Sequence, residues 1–179
     1  ATGARGVHQN VVVSFRTFAA ITGSGFRRYS TYRQATIAGA FTNTIFGFLR
    51  CYVLLAVAGS ASQGLAAGYD PGQLATYVWV GQGLLAVILL WGWTDLADRI
   101  RTGEAVGDLL RPVHPVASYL AADLGRAANA LVTRLLPPFV VGPLFFSVYL
   151  PQRWTTVPLF ALSLVLATVV SFACRFLVN

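Results

Sequence analysis

The 179-residue sequence contains no lysine and no methionine, and only six acidic residues stand against thirteen arginines. Charged residues make up 11% of the chain, under half of the roughly 25% that is usual in soluble domains. Hydrophobic residues make up 56% and the mean hydropathy is +0.64. The arginines flank apolar runs and do not cover a soluble face, so an acidic membrane surface suits the net charge of +7 better than nucleic acid does.

Cysteine and histidine are also scarce. Cys51 and Cys174 each lie inside an apolar run, and His8 and His114 are isolated, so neither a disulfide framework nor a metal site is predicted. The first residue is not methionine, and we expect the natural chain to begin further upstream. No basic segment followed by an apolar core and a cleavage site occurs in residues 1–13, so no signal peptide is predicted there.

Motifs for catalysis are missing. The patterns HExxH, CxxC, GxSxG and the P-loop do not occur. Gly81-Gln82-Gly83 lies within an apolar run with no strand before it, which favours helix packing over a phosphate cradle. We therefore predict no catalytic residue, no bound metal and no cofactor in this chain. A protein that moves a solute without binding nucleotide must take its energy from an ion gradient or from a partner.

Four apolar segments are long enough to cross a bilayer, for which a helix needs about 20 residues. They cover about 36–58, 74–96, 131–150 and 157–178. The third contains Pro137-Pro138 and Gly142-Pro143, and we expect a kink or break there. The predicted fold is all-α: a polytopic helical membrane protein with an N-terminal interfacial helix and four transmembrane helices.

The distribution of arginine predicts the orientation. Nine of the thirteen arginines lie before the first span or between the second and third, and the loop between the first two spans has none. Because cytoplasmic loops are enriched in Arg and Lys, the N-terminus and the second loop are predicted to be cytoplasmic, and so is the C-terminal end. Tyr29 and Tyr32 suit the headgroup belt at the start of the first span.

A short tail, 1–14, precedes a segment with helical periodicity, 15–33. Apolar residues recur at spacings of three and four, while three arginines fall on other faces. The apolar set is Phe15, Phe18, Thr22, Phe26 and Tyr29, and the basic set is Arg16, Arg27 and Arg28. This pattern favours an amphipathic helix in the membrane interface, with Gly23-Ser24-Gly25 as a candidate break. The alternative is a core helix of a soluble domain.

The loop between the second and third spans, about 97–116, differs from the rest of the chain. Five of the six acids lie between Asp95 and Asp123. Arg101, Glu104, Asp108 and Arg111 are spaced so that one continuous helix would place all four on one face, with Val106, Leu109 and Leu110 on others. Such a helix is either a solvated loop helix or a docking surface for a cytoplasmic partner.

Polar residues inside the predicted spans are candidates for a functional path. Thr36, Gly39, Asn43, Gly47 and Arg50 form one small or polar stripe along the first span, and Gln82 lies in the second. Asn43 and Gln82 could equally form an interhelical hydrogen bond. Arg50 could equally extend towards the outer headgroups.

Three stretches carry a resemblance to a known family. They are FRRYSTYRQATIAGAFTNTIFGFLRCYVLL, YVWVGQGLLAVILLWGWTDLADRIRTGEAVGDLLRPVHPVASYLAADLGRA and PPFVVGPLFF. Together they resemble ABC-2 type transporter permeases, in the branch of six-span bacterial exporter permeases described as viologen-exporter-like. The resemblance runs from about residue 15 to the end, and RTGEAVGDLLRP is its most specific part.

The resemblance implies a transmembrane subunit of the bacterial cytoplasmic membrane that pairs with a second permease subunit, as a homo- or heterodimer, and with two copies of a separate ABC ATPase. ATP and Mg would be bound by that ATPase. Segment 15–33 would be the interfacial helix, and segment 99–112 the coupling helix that contacts the ATPase. Asn43, Arg50 and Gln82 become candidates for the translocation path.

Members of that family have six spans, so we expect two further spans outside the given sequence. The substrate is left open among amphipathic drugs, lipids and peptides. The alternative function is a non-transport membrane scaffold or a small channel-forming protein, for which a coupling helix has no purpose.

Overall fold

The structure is a computed structural model, and it describes residues 14–60, 68–90, 95–111 and 113–178. These residues form helices and their connections, with no strand among them, which confirms the predicted all-α class. The helices are α1 (Phe15–Ser30), α2 (Arg33–Ser60), α3 (Pro71–Leu84), α4 (Asp95–Arg101), α5 (Ala105–Leu109), α6 (Pro115–Ala130), α7 (Leu136–Phe145) and α8 (Thr156–Val178). A π-helical segment, Leu131–Leu135, joins α6 to α7.

Three of the described helices are long and apolar enough to cross a membrane: α2, the continuous run Pro115–Phe145, and α8. They contain 28, 31 and 23 residues. At about 1.5 Å per residue each exceeds a hydrocarbon core of about 30 Å. The membrane character predicted from composition is therefore supported by three helices, in the regions of the first, third and fourth predicted spans.

The helical run that contains most of the third predicted span begins at Pro115, well before the predicted start at 131. Asp123, Arg126 and Asn129 lie in this additional stretch, and all three side chains are buried against the protein. The expected irregularity near Pro137-Pro138 takes the form of the π-helical segment immediately before the two prolines.

The second predicted span is not one continuous helix over the residues that are described. Helix α3 starts firmly, because Asp70 and Gln73 form a reciprocal capping box and Pro71 occupies the first turn. It ends at Leu84 after 14 residues, a length of about 21 Å, and residues 85–90 are not helical. The connections at 61–67 and 91–94 lie outside the described residues.

Carbonyl groups beyond the end of α3 are satisfied by side chains from later helices. Arg126 donates to the carbonyl oxygens of Ala86 and Val87, at 2.8 and 3.0 Å. Ser171 donates its hydroxyl to the carbonyl oxygen of Leu89. Buried non-helical backbone needs protein groups that replace the lost intrahelical hydrogen bonds, and α6 and α8 supply them here.

Helix α1 runs unbroken through Gly23-Ser24-Gly25 and packs on α6. Two glycines make the contact close and reciprocal. A Cβ on Gly25 would strike the carbonyl oxygen of Ala122, and one on Gly125 would strike the backbone of Thr22 and Phe26. The outer part of the predicted apolar face, at Phe15, is exposed. The helical pattern was therefore correct, and the contact with α6 was not foreseen.

The apolar core between α2, α3 and α7 is built around Trp79, which is fully buried. Gly47 of α2 and Gly142 of α7 lie against the indole from two sides, and a Cβ at either would collide with it. Phe48 meets the indole edge to face, with ring centroids 5.2 Å apart. Helix α3 is thus held in place by a large aromatic residue near its middle.

Candidate functional site

The segment between α3 and α6 contains a pair of short helices, α4 and α5. The prediction of one continuous helix carrying Arg101, Glu104, Asp108 and Arg111 on one face is wrong. The helix ends at Arg101, and Gly103 adopts a left-handed conformation with φ of 78°. Glycine adopts this conformation without steric cost, so the chain turns before α5 begins.

Asp108 holds this helix pair together and does not join an outer charged stripe. Its carboxylate lies 2.9 Å from the Arg99 guanidinium and 3.7 Å from that of Arg111. Tyr119 of α6 donates its hydroxyl to the same carboxylate at 2.6 Å. Asp108 therefore fixes α5 against α4 and α6, while Arg101 and Glu104 remain exposed.

The three apolar residues of α5 and its C-terminal end point away from the protein. Val106, Leu109 and Leu110 are 60%, 72% and 81% exposed. Each lies within four residues of Asp108, so the carboxylate that anchors α5 also determines how these side chains are presented. We call Val106, Leu109 and Leu110 the apolar tip.

The predicted path residues lie together where α2 meets α3. Asn43 and Gln82 exchange hydrogen bonds: the Gln82 amide donates to Asn43 Oδ1 at 2.7 Å, and Asn43 Nδ2 lies 3.2 Å from the Gln82 carbonyl oxygen. Arg50 donates to Gln82 Oε1 at 2.8 Å. The three side chains form one connected network. The interhelical hydrogen bond between Asn43 and Gln82 is present, and Arg50 is directed to Gln82 although much of its surface is exposed.

The rest of the α2 stripe also faces protein. The guanidinium of Arg134 lies over Gly39, where a Cβ would collide with it, and Gly47 contacts Trp79. Asn43 additionally donates to the carbonyl oxygen of Arg134 at 3.0 Å. Small residues along one face of α2 therefore admit an indole and a guanidinium.

A buried charge cluster joins α6 to α8. The Asp123 carboxylate lies 2.6 Å from Arg126 and 2.6 Å from Arg175, and all three residues are buried. Sequence reasoning did not single out Asp123, Arg134 or Arg175. A signal was present, because Asp123 and Arg126 have the i, i+3 spacing of a helical ion pair and Arg134 and Arg175 are charges within apolar segments.

Groups of metal-ligating side chains are not found among the residues that the structure describes.

The residues predicted to form the interfacial helix are partly exposed and partly packed against protein. Arg27 and Arg28 extend from the last turns of α1, and Phe18 and Phe26 are half-buried. Ser30, at the end of α1, accepts a hydrogen bond from Asn129 of α6 at 2.8 Å.

No family model, curated protein or solved structure matches this chain. The resemblance to exporter permeases therefore stays a prediction carried by the three quoted stretches.

Proposed function

We propose that this chain is a transmembrane permease subunit of an ATP-driven exporter of the ABC-2 type, coupled through the α4–α5 helix pair to a separate ATPase. The observation that carries the proposal is the apolar tip. Three aliphatic side chains are exposed on α5 and at its C-terminal end, and the Asp108 carboxylate anchors this helix to Arg99 of α4. Exposed apolar groups framed by polar ones are typical of a protein interaction site.

The anchoring of the apolar tip suits transmission of force from a bound partner to α6. Asp108 is bonded to α4 and to Tyr119 in the first turns of the spanning helix α6. A partner that moved the tip would therefore pull on a membrane helix and not only on a loop. In the proposed mechanism, closure of the ATPase dimer on ATP favours one state of the permease over the other by differential affinity.

The substrate side of the proposal rests on the network of Asn43, Arg50 and Gln82. It places a cation and two amides among apolar side chains, near the middle of α2 and in the last turn of α3. An amphipathic substrate with a polar group, whether a drug, a lipid or a peptide, could exchange for these internal hydrogen bonds. A second permease subunit would complete the path.

The test is purification of the full chain in mild detergent with its ATPase, followed by replacement of the tip. We expect Leu109→Ser with Leu110→Ser to abolish association of an ATP-hydrolysing subunit and substrate-stimulated hydrolysis, while membrane insertion is preserved. Ile100→Ser is the matched control, because Ile100 is an exposed aliphatic residue of α4 outside the tip. Retention of the ATPase by the double variant would contradict the proposal and favour a membrane scaffold or channel.

A further inference from the structure

An open groove of about 500 Å³ runs along α2 where that helix meets α3, and one arginine lies in it. The other lining residues are all apolar: Phe46, Leu49, Val53, Leu54 and Val57 of α2, with Val78 of α3. Arg50 is therefore the only charged group among the described residues that line the groove.

The charge of Arg50 is not compensated by an acid. Arg50 takes part in none of the ion pairs found in the described part of the chain. Its one hydrogen bond to the described residues runs from Nη1 to the neutral amide oxygen of Gln82, at 2.8 Å. A guanidinium carries several N–H donors and a full positive charge, and such a charge among apolar side chains is costly in a membrane helix. The groove therefore favours an occupant that brings a negative charge.

The direction of the Arg50 side chain argues against its extension to the outer headgroups. Helix α2 ends at Ser60, about 15 Å beyond Arg50. Gln82, which accepts the hydrogen bond of the guanidinium, also bonds to Asn43, about 10 Å before Arg50 along the same helix. The guanidinium is therefore held towards the N-terminal part of α2, away from the nearer helix end.

We propose that the groove binds the transported substrate and that this substrate is an anionic amphiphile, with its acidic group on Arg50 and its hydrocarbon chain along the α2 ridge of Leu49, Val53 and Val57. A guanidinium forms charge-assisted hydrogen bonds with a carboxylate or phosphate, and the spacing of four residues places the ridge on one face of the helix. The inference rests on the proposed function, because it selects acidic amphiphiles from the drugs, lipids and peptides left open there.

The headgroup is tested with three probes of equal chain length: laurate, dodecanol and dodecyltrimethylammonium. Native mass spectrometry of the full chain in a non-ionic detergent, at about pH 8 so that the carboxylic acid is ionised, measures their affinities. We expect laurate to bind at least about tenfold more tightly than the other two, the effect of one charge-assisted hydrogen bond. Equal affinities would mean an unselective apolar face, covered by the bilayer or by a second subunit, and would overturn the proposal. Because no ATPase is present, this outcome is separate from that of the apolar-tip variant.

The sequence offers a control of equal charge. Arg33 is an exposed residue at the start of the same helix and does not line the groove. Arg50→Gln should weaken laurate binding about tenfold or more and leave dodecanol binding unchanged, whereas Arg33→Gln should stay within about twofold. Helical circular dichroism and the elution volume verify that both variants are folded. An equal loss in the two variants would mean that net charge alone attracts laurate and would overturn the site.

The hydrocarbon part of the site is tested with a bulky side chain. Val53→Trp fills the groove without removing the guanidinium and should weaken laurate about tenfold. Ile37→Trp makes a similar change at an exposed position of α2 outside the groove and should stay within about twofold. Equal laurate affinity of these two variants would overturn the proposal. Phosphatidylglycerol, added as a competitor, should not displace laurate; displacement would assign the groove to a bilayer lipid and overturn its assignment to a transported solute.

Discussion

Asn43 of α2 donates its side-chain amide to the backbone carbonyl oxygen of Arg134, 3.0 Å away. In an unbroken α-helix that carbonyl would receive the N–H of residue 138, but residue 138 is proline and has none. Asn43 thus replaces a hydrogen bond that Pro138 removes from the helical run Pro115–Phe145. The same amide reaches the carbonyl oxygen of Gln82, in the last turn of α3, where intrahelical donors also run out.

Replacing Asn43 by leucine should destabilise the protein by about 1–3 kcal/mol, because two carbonyl groups and the Gln82 amide lose their partner in an apolar setting. Gln82→Leu should cost a similar amount, and the double variant less than the sum, since the two residues share one network. Thermal unfolding in detergent measures the three values. Thr42→Val, on the exposed side of the same helix, is the control, and a stability of Asn43→Leu equal to that control would show that the network is dispensable.

Alanine substitutions at Gly25 and Gly23, both in α1, should have opposite effects on stability. Gly25→Ala places a methyl group against the Ala122 carbonyl oxygen and should separate α1 from α6, whereas Gly23 faces only the distant end of Arg27 at 3.5 Å. Gly23→Ala should therefore be neutral or stabilising by up to about 1 kcal/mol, from helix propensity. Limited proteolysis between α1 and α2 reports the detachment. Equal protease resistance of the two variants would argue against close packing at Gly25.

Asp123→Asn should destabilise the protein by about 3–5 kcal/mol, because two buried guanidinium groups would lose the carboxylate between them. Asp98→Asn makes the same chemical change at an exposed position of α4 and should have an effect within about 0.5 kcal/mol. Denaturant unfolding monitored by tryptophan fluorescence compares the two. If both substitutions were equally tolerated, the cluster would not be what joins α6 to α8.

The orientation is tested with single cysteines at Tyr69 and Thr102, both exposed, in a background of Cys51→Ala and Cys174→Ala. An impermeant thiol reagent should label position 69 on intact cells and position 102 only after permeabilisation, because the arginine-rich side is retained in the cytoplasm. The reverse labelling pattern would invert the predicted topology.

The membrane-helical class followed directly from composition, since a chain with 11% charged residues and long apolar runs has few other solutions. The stripe from Gly39 to Arg50 was also visible, because small and polar residues on one face of a spanning helix must meet protein. Periodicity could not show which partner each residue meets. Nothing in the spacing of α2 indicates that Gly39 accommodates Arg134 or that Gly47 accommodates Trp79.

The differences between the predicted and observed bounds of the second and third spans have one origin. Hydropathy extended the second predicted span through residues 85–90, because these residues are apolar although their backbone is not helical. It began the third predicted span too late, because it counts the buried ion pair of Asp123 and Arg126 as hydrophilic. Arg126 bears on both: it is a charged residue within the helical run Pro115–Phe145, and its guanidinium donates to the carbonyl groups of Ala86 and Val87, just beyond the end of α3. Likewise, the regular charge spacing of the loop gave no warning of the turn at Gly103.

The capping of the segment after α3 has a consequence for biosynthesis. Its carbonyl groups at Ala86, Val87 and Leu89 depend on Arg126 and Ser171, which the ribosome adds about 40 and 80 residues later. Until those helices have been synthesised, these carbonyl groups lack the partners that they have in the folded protein. The final arrangement of the segment after α3 therefore forms only once α8 has been synthesised.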